Sequence, residues 1–297
     1  MTTDTLQYKV KLTVLRSKHM GMCFGVRDAI SMANRAVRSR PLTILGELVH
    51  NAKVLGDLKD QGVQFEDKPE AVQTETAMIT AHGTSQWARA RARQEGLQLR
   101  DATCPLVHFA HKQVRELVRA GYHPVIIGRH GHVEVRGLTE DLTQCDVVLS
   151  ETDIDLLEFQ PRFGVVAQTT QPIARVRELV EYLQARFPDS EVRFVDTVCQ
   201  PTKQRQSAAE ELARKSDVVL VVGGANSNNT RELARTCAKY CERVHHVQGP
   251  DDIRTEWLMD TNTLGITAGT STPDELVDAV ENRVHKIVGQ QNPKENE

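Results

Sequence analysis

Asp101-Ala-Thr-Cys104-Pro105-Leu-Val107 is the stretch from which the organisation of this chain can be worked out. Proline is favoured in the first turn of a helix, where its missing N–H costs nothing. Apolar residues at helical spacing follow it as far as Leu117. Cys104 is therefore predicted to stand at the start of a helix, where free N–H groups and the positive end of the helix dipole favour a thiolate.

Two other cysteines have a similar context. Asp196-Thr-Val-Cys199-Gln-Pro again places an aspartate three residues before the cysteine and a proline soon after it. Gly21-Met-Cys23-Phe-Gly is a looser copy, and it precedes a helical pattern over residues 27–37. The three cysteines are 81 and 95 residues apart, about one α/β unit each. This repetition suggests that three thiolates meet at one point.

Strand patterns alternate with helix patterns along the whole chain, which predicts an α/β fold with parallel sheets. A length of 297 residues suits two domains or three small ones. We expect three α/β lobes over residues 9–98, 99–190 and 191–288, followed by a polar tail at 289–297. No linker rich in proline or serine separates the lobes, so no sequence feature marks their boundaries.

Composition excludes several classes of protein. The formal net charge is −3, from 37 basic and 40 acidic residues, so nothing favours a nucleic-acid partner. No apolar stretch approaches the ~18 residues that span a bilayer, so no membrane partner is expected. The N-terminal residues lack the basic and apolar regions of a signal peptide. The six cysteines are scattered, and this favours a reducing cytoplasm with metal binding or catalysis over disulfides.

Three cysteines in equivalent settings can hold an iron–sulfur cluster in which one iron has no protein ligand, or a zinc ion with an open position. Either arrangement leaves room for substrate chemistry. Cys145, Cys237 and Cys241 are candidates for a fourth ligand, but their sequence contexts are typical of ordinary packing.

Hydroxyl, amide and imidazole groups follow the predicted strands, at the edge where parallel sheets bind ligands. These residues are His50, His82, His132, Thr169, Ser227, Asn229 and Ser271. Any one of the serines or asparagines could be an ordinary helix cap, and any one histidine could be structural. Together, neutral donors and histidines suit a phosphate group close to an anionic cluster. Glu134 lies two residues after His132 and is either a proton donor or a solvated loop carboxylate.

With these motifs in one order, the chain resembles the 4-hydroxy-3-methylbut-2-enyl diphosphate reductase family. The resemblance runs from about Lys18 to Val288. It rests on Cys23-Phe-Gly-Val, Glu47-Leu-Val-His50-Asn51, Ala81-His82-Gly83-Thr-Ser85-Gln86, Asp101-Ala-Thr-Cys104-Pro105-Leu-Val, Gly131-His132-Val-Glu134-Val, Gln168-Thr169-Thr170, Asp196-Thr-Val-Cys199, Asn226-Ser227-Asn-Asn229 and Thr267-Ala-Gly-Thr-Ser271.

The resemblance implies a trefoil of three α/β domains around a 4Fe–4S cluster. Cys23, Cys104 and Cys199 would be its protein ligands, and one iron would have none. Glu134 would act in proton delivery, and Thr169 would lie near the substrate hydroxyl. The diphosphate pocket would consist of His50, His82, His132, Ser227, Asn229 and Ser271.

The implied reaction removes the hydroxyl group of (E)-4-hydroxy-3-methylbut-2-enyl diphosphate reductively, with the unligated iron acting as a Lewis acid. It yields isopentenyl and dimethylallyl diphosphate in the last step of the non-mevalonate pathway. The chain has no Gly-x-Gly-x-x-Gly fingerprint for a nicotinamide or flavin, so a ferredoxin or flavodoxin is the expected electron donor.

The chain departs from the family pattern in a few places. Asn228 stands where many members have a second serine; it keeps a hydrogen-bond donor and is included among the substrate-binding residues. His108 replaces a small polar residue one helical turn beyond Cys104, where it could affect the potential of a cluster. Two alternatives stay open: an iron–sulfur hydro-lyase, which needs no external electrons, and a non-catalytic iron–sulfur redox sensor.

Overall fold

The structure is a computed structural model that describes residues 12–291. In chain order its strands are β1 (Thr13–Arg16), β2 (Leu42–Leu45), β3 (Gln64–Glu66), β4 (Thr76–Ile79), β5 (Gln98–Asp101), β6 (His123–Ile127), β7 (Asp146–Val148), β8 (Arg162–Ala167), β9 (Glu191–Phe194), β10 (Val218–Val222), β11 (Val244–Val247) and β12 (Thr263–Ala268). Its α-helices are α1 (Phe24–Ser39), α2 (Ala52–Asp60), α3 (Gln86–Gln94), α4 (Pro105–Arg119), α5 (Val133–Thr139), α6 (Glu151–Asp155), α7 (Ile173–Arg186), α8 (Gln200–Ala213), α9 (Asn228–Ala238) and α10 (Asp274–Gln291).

These elements form three parallel sheets of four strands each. The first sheet has the order β3-β2-β4-β5, the second β7-β6-β8-β9 and the third β1-β12-β10-β11. Parallel strands need crossover connections, and the helices that make them cover the sheets. The predicted α/β fold with three parallel-sheet lobes is confirmed.

Apolar residues pack on both faces of each sheet. In the first sheet, α1 and α2 pack on one face through Val26 and Leu58, and α3 packs on the other through Ala92. In the second, α6 and α7 cover one face and α4 and α5 the other. In the third, α10 lies on one face, and α8 and α9 lie on the other. Residues 218–222 are all buried, as expected of an apolar strand in the middle of a doubly covered parallel sheet.

The described chain forms two compact units. Residues 22–203 make one unit, which holds the first and second sheets. The other unit combines the residues up to Gly21 with those from Gln204 onward, and it holds the third sheet.

Strand pairing divides the lobes differently from the sequence boundaries. β1 lies within the range 9–98 but pairs with β12, so it belongs to the third sheet. β5 crosses the boundary at 98/99 and completes the first sheet. β9, assigned to 191–288, pairs with β8 in the second sheet. All three are edge strands, and the partner of an edge strand is decided by tertiary contacts.

Both ends of the predicted organisation extend beyond the described residues. The first lobe was expected to begin at residue 9, and residues 9–11 lie outside the described range. α10 continues through Gln291, so residues 289–291 of the expected polar tail are helical, and 292–297 lie outside. Within residues 12–291, no helix is both long enough and apolar enough to cross a bilayer.

Candidate functional site

Three cysteines stand where helices begin in the unit formed by residues 22–203. Cys23 is the N-cap of α1, and Cys104 is the N-cap of α4 with Pro105 at the first helical position. Cys199 directly precedes α8. In each case the cysteine carbonyl accepts a hydrogen bond from the N–H four residues on, at 3.0, 3.0 and 3.1 Å. The predicted helix starts are therefore confirmed.

The Cys23 thiol lies within electrostatic reach of both Cys104 and Cys199. Burial raises the pKa of the Cys104 thiol, and nearby Cys23 raises it further. Burial also raises the pKa of Cys199 to about 11, and Cys23 and Glu134 add to the effect. Burial therefore outweighs the helix N-termini, which had been expected to favour thiolates. Ionising these thiols together requires a positive group among them.

The same aspartate turn precedes two of the cysteines. One oxygen of Asp101 accepts a hydrogen bond from the N–H of Thr103 at 3.0 Å, and the other is 2.9 Å from Arg89. Asp196 likewise accepts from the N–H of Val198 at 3.1 Å and pairs with Lys203 at 2.7 Å. The aspartate three residues before Cys104, and its counterpart before Cys199, thus stabilise the turn that precedes the cysteine.

Three histidines converge in the same unit. His50 and His82 follow β2 and β4 of the first sheet, and His132 follows β6 of the second. The His50 and His82 rings stack with centroids 4.2 Å apart, and the His132 ring lies 5.4 and 5.8 Å from them, nearly perpendicular. The three residues had been assigned to one site because each follows a strand, and the structure brings them together.

The three rings differ in their hydrogen bonds and in their burial. Nδ1 of His132 accepts from the N–H of Glu134 at 3.1 Å, which leaves Nε2 to carry its proton. Nδ1 of His50 lies 2.7 Å from a carboxylate oxygen of Glu47. Burial and the two neighbouring histidines lower the pKa of His82 well below its usual value. Nδ1 of His82 is buried without a hydrogen-bond partner among the described residues.

Glu134 is buried in the first turn of α5 and is held by Thr169. One carboxyl oxygen accepts from the Thr169 N–H at 2.7 Å, and the other accepts from its hydroxyl at 3.0 Å. Burial raises the pKa of Glu134 to about 7, and the two hydrogen bonds from Thr169 oppose this shift. The reading of Glu134 as a solvated loop acid is wrong, because the residue is helical and only 1% exposed.

The remaining sequence-assigned residues lie in the other compact unit. Ser227 caps α9 by accepting from the N–H of Thr230 at 3.2 Å, and Asn228 and Asn229 are the first two residues of that helix. Asn229 accepts from the N–H of Thr270 at 3.0 Å, which joins the loop after β12 to α9. Ser271 lies in that loop, and all four assigned side chains are buried. The amide nitrogen of Asn229 has no hydrogen-bond partner among the described residues.

Two contacts of these assigned groups were not predicted from the sequence. Thr202 lies 3.0 Å from the Cys199 sulfur through its hydroxyl, and Glu47 is the partner of His50. Each is three residues from the group it contacts, a spacing that could have drawn attention to it. His108 lies 3.4 Å from Asp101 and is half-exposed. Over residues 12–291, no three His, Cys, Asp or Glu side chains are arranged for a single metal ion.

Comparison with known proteins identifies the family. The sequence model of one family, described as LytB protein, matches residues 14–285. The chain belongs to the LytB family. A relative from Pelobacter propionicus, named 4-hydroxy-3-methylbut-2-enyl diphosphate reductase, is 37% identical over 278 residues, covering 93% of this chain and 99% of its own. A relative of the same name from Acinetobacter baumannii is 34% identical over 294 residues, covering 96% and 93%.

Solved structures of LytB relatives have the same fold. The E-1-hydroxy-2-methyl-but-2-enyl-4-diphosphate reductase of Plasmodium falciparum superposes with a TM-score of 0.86 at 27% identity, covering 91% of this chain and 86% of its own. A structure of (E)-4-hydroxy-3-methyl-but-2-enyl diphosphate reductase, the terminal enzyme of the non-mevalonate pathway, matches with a TM-score of 0.66 at 32% identity, covering 92% and 99%. The sequence-based assignment to this reductase family is confirmed.

Proposed function

We propose that this protein reduces (E)-4-hydroxy-3-methylbut-2-enyl diphosphate to isopentenyl and dimethylallyl diphosphate. Two electrons and two protons are consumed, the allylic C–O bond breaks, and the hydroxyl group leaves as water. The observation that carries the proposal is the convergence of three partly buried thiols and the Glu134 carboxyl in one unit of a LytB-family chain.

The cofactor proposed is one 4Fe–4S cluster held by Cys23, Cys104 and Cys199. The chemistry of the donors fits such a group, because all six cysteines are free and two of these three thiols have raised pKa values that a cationic partner would reverse. In a cluster each cysteine binds a different iron, so the sulfurs need not meet at one ion. When bound, the cluster supplies electrons and an iron without a protein ligand, which is a Lewis acid.

The electrons come from outside the chain in this proposal. The chain has no dinucleotide fingerprint, and a ferredoxin or flavodoxin is the proposed donor. Six free cysteines support the proposed cytoplasmic location.

Gly25 provides a first test of the proposed ligand set. A Cβ at this position would lie 2.5 Å from the sulfur of Cys104 and 3.2 Å from its Cβ. Although alanine normally stabilises a helix by about 1 kcal/mol relative to glycine, Gly25→Ala is expected to displace Cys104 and lower the iron content. Iron analysis after anaerobic reconstitution and the thermal midpoint measure the two effects.

Gly56 is the matched control for this substitution. It also lies inside a helix, α2, and an added Cβ there meets nothing within 4 Å. Gly56→Ala should keep the full iron content and gain stability. Full iron content in Gly25→Ala would contradict the proposal that Cys104 must lie close against Gly25 in order to bind the cluster.

Proton delivery is assigned to Glu134, with Thr169 as the link to the substrate hydroxyl. In its acid form Glu134 can donate its proton to the Thr169 hydroxyl oxygen, 3.0 Å away, and the Thr169 hydroxyl can then donate its own proton to the substrate hydroxyl. A carboxyl with a pKa of about 7 is suited to donate a proton near neutral pH. The same side chain then supplies the proton that the leaving hydroxyl requires.

Diphosphate binding is assigned to the residues that the resemblance to the family implies: His50, His82, His132, Ser227, Asn228, Asn229 and Ser271. The buried nitrogens of His82 and Asn229 that lack partners support this assignment, since leaving polar groups unsatisfied is costly. The lowered pKa of His82 favours its neutral form, which avoids charge repulsion with the other two rings.

His82→Ala is expected to weaken binding of the diphosphate substrate by about 5- to 150-fold, the worth of one buried hydrogen bond of ~1–3 kcal/mol. Binding of the corresponding alcohol should change little, because the alcohol lacks the phosphate oxygens. Anaerobic calorimetry without reductant measures both affinities. His285→Ala, at a half-exposed histidine of α10, is the control. Equal losses for alcohol and diphosphate would remove His82 from the diphosphate set.

The function itself is tested by anaerobic purification and turnover with reduced methyl viologen. We expect both five-carbon diphosphates to form, and no product to form without the reductant. Dehydration without reductant would instead identify a hydro-lyase. A cluster that responds to oxidants without any turnover would identify a redox sensor.

A further inference from the structure

Two helices that begin at cysteines carry exposed, positively charged faces. The exposed cations are Arg27, Arg35 and Arg38 on α1 and Lys112, Arg115 and Arg119 on α4. Only Asp28 and Glu116 oppose them on these helices, so the two together carry a net charge of +4, whereas the whole chain carries −3. The pair of Lys112 with Glu116 is exposed and 3.6 Å long, so it is weak.

Each of these faces starts with an exposed aromatic ring close to its cysteine. Phe24 follows Cys23 and is 47% exposed, and Phe109 lies in the second turn of α4 and is 43% exposed. Aromatic residues and arginines are both enriched at protein–protein interfaces, so rings beside these cations fit a protein-binding surface.

The two helices approach each other at their cysteine ends. The Cys104 sulfur lies against Gly25, as its distance of 2.5 Å from an added Cβ at that position indicates. We name Phe24, Arg27, Arg35, Phe109, Lys112 and Arg115 the α1–α4 surface. It combines apolar rings near the thiols with cations farther along both helices.

We propose that the α1–α4 surface docks a small acidic electron-carrier protein. The inference rests on the proposed function, since that reaction needs two electrons from outside the chain. Opposite charge accelerates encounter and orients the partner, while two exposed rings suffice for the small interface of a transient redox complex. Two one-electron carriers are oxidised for each substrate, and the electrons end on the carbon whose C–O bond breaks.

The test reverses two cations of α4 that are outside the catalytic and substrate-binding sets. Lys112→Glu/Arg115→Glu is compared with the parent holoprotein and with Arg177→Glu/Lys286→Glu, which makes the same charge change on exposed faces of α7 and α10. Calorimetry measures binding of oxidised flavodoxin at low and high salt. Steady-state kinetics compare reduced flavodoxin with reduced methyl viologen as electron source.

We expect the α4 double variant to raise both the Kd and the KM for flavodoxin about tenfold or more at low salt. Its turnover with methyl viologen should stay within about twofold of the parent, and the control variant should behave as the parent does. Phe109→Ala should weaken flavodoxin binding at high salt as well, because apolar contact is not screened by ions.

Parent-like flavodoxin binding in both α4 variants would overturn the proposal. A second result would also overturn it: the parent binds duplex DNA or anionic phospholipid vesicles as tightly as flavodoxin, and the double variant does not bind them. The surface would then serve another class of partner. Failure of the parent to turn over with methyl viologen would count against the proposed function alone. In that case the calorimetric comparison still decides the role of the surface.

Discussion

Replacing Cys23, Cys104 or Cys199 by serine is expected to remove the visible absorption of the anaerobically purified protein and to abolish turnover. Each proposed ligand stands at the start of a different helix, so none of the three can be replaced by a neighbouring sulfur. Serine retains the size of cysteine but binds iron poorly, because soft thiolates are the preferred ligands. Iron and sulfide analysis, the absorption spectrum and the turnover rate measure the loss.

The other cysteines provide controls that the structure helps to choose. Cys145 is half-buried beside β7, and Cys145→Ser should keep the cluster. Cys237 is fully buried in the core of the third lobe, so Cys237→Ala is the better variant there, because serine would place an extra hydroxyl in an apolar site. Loss of the cluster from Cys237→Ala with an unchanged thermal midpoint would make the three-ligand proposal wrong.

Glu134→Gln is expected to lower turnover by roughly 10²–10⁴, the usual contribution of a positioned general acid. Glutamine can still accept the hydrogen bond from the Thr169 N–H, so the cluster spectrum and substrate affinity should be retained. Only the carboxyl proton is lost. Single-turnover experiments should then show substrate bound with its hydroxyl group still in place.

The pH dependence of the parent provides a second measurement of the same group. Burial raises the pKa of Glu134 to about 7, so the acid form is present below this pH and is lost as pH rises through it. Parent turnover should therefore fall about tenfold per pH unit above 7. The residual turnover of Glu134→Gln should not show this decrease with rising pH.

Glu140→Gln is the control for both measurements, because Glu140 is an exposed residue at the other end of α5. Its turnover and pH profile should match those of the parent. Turnover of Glu134→Gln within a few-fold of the parent would exclude the carboxyl from proton delivery. Loss of the cluster from that variant would assign Glu134 a structural role.

Local features of this protein were determined by the sequence. Pro105 and the apolar spacing that follows predicted α4, and the alternation of strand and helix patterns predicted parallel sheets. Such elements depend on a few neighbouring residues, through helix capping, side-chain periodicity and glycine or proline at the ends. The placement of histidines after strands was predictable for the same reason, since parallel strands end at one edge of a sheet.

Tertiary structure decided the pairing of β1 with β12, the close approach of Cys104 to Gly25 and the protonation of the buried groups. The sequence suggested that the helix starts would favour thiolates, and the structure shows burial raising the pKa of Cys104 and Cys199 instead. From the sequence, Glu134 was either a proton donor or a solvated loop carboxylate, and its burial gives it a pKa of about 7. Desolvation depends on everything packed around a group, so these properties arise only from contacts between distant parts of the chain.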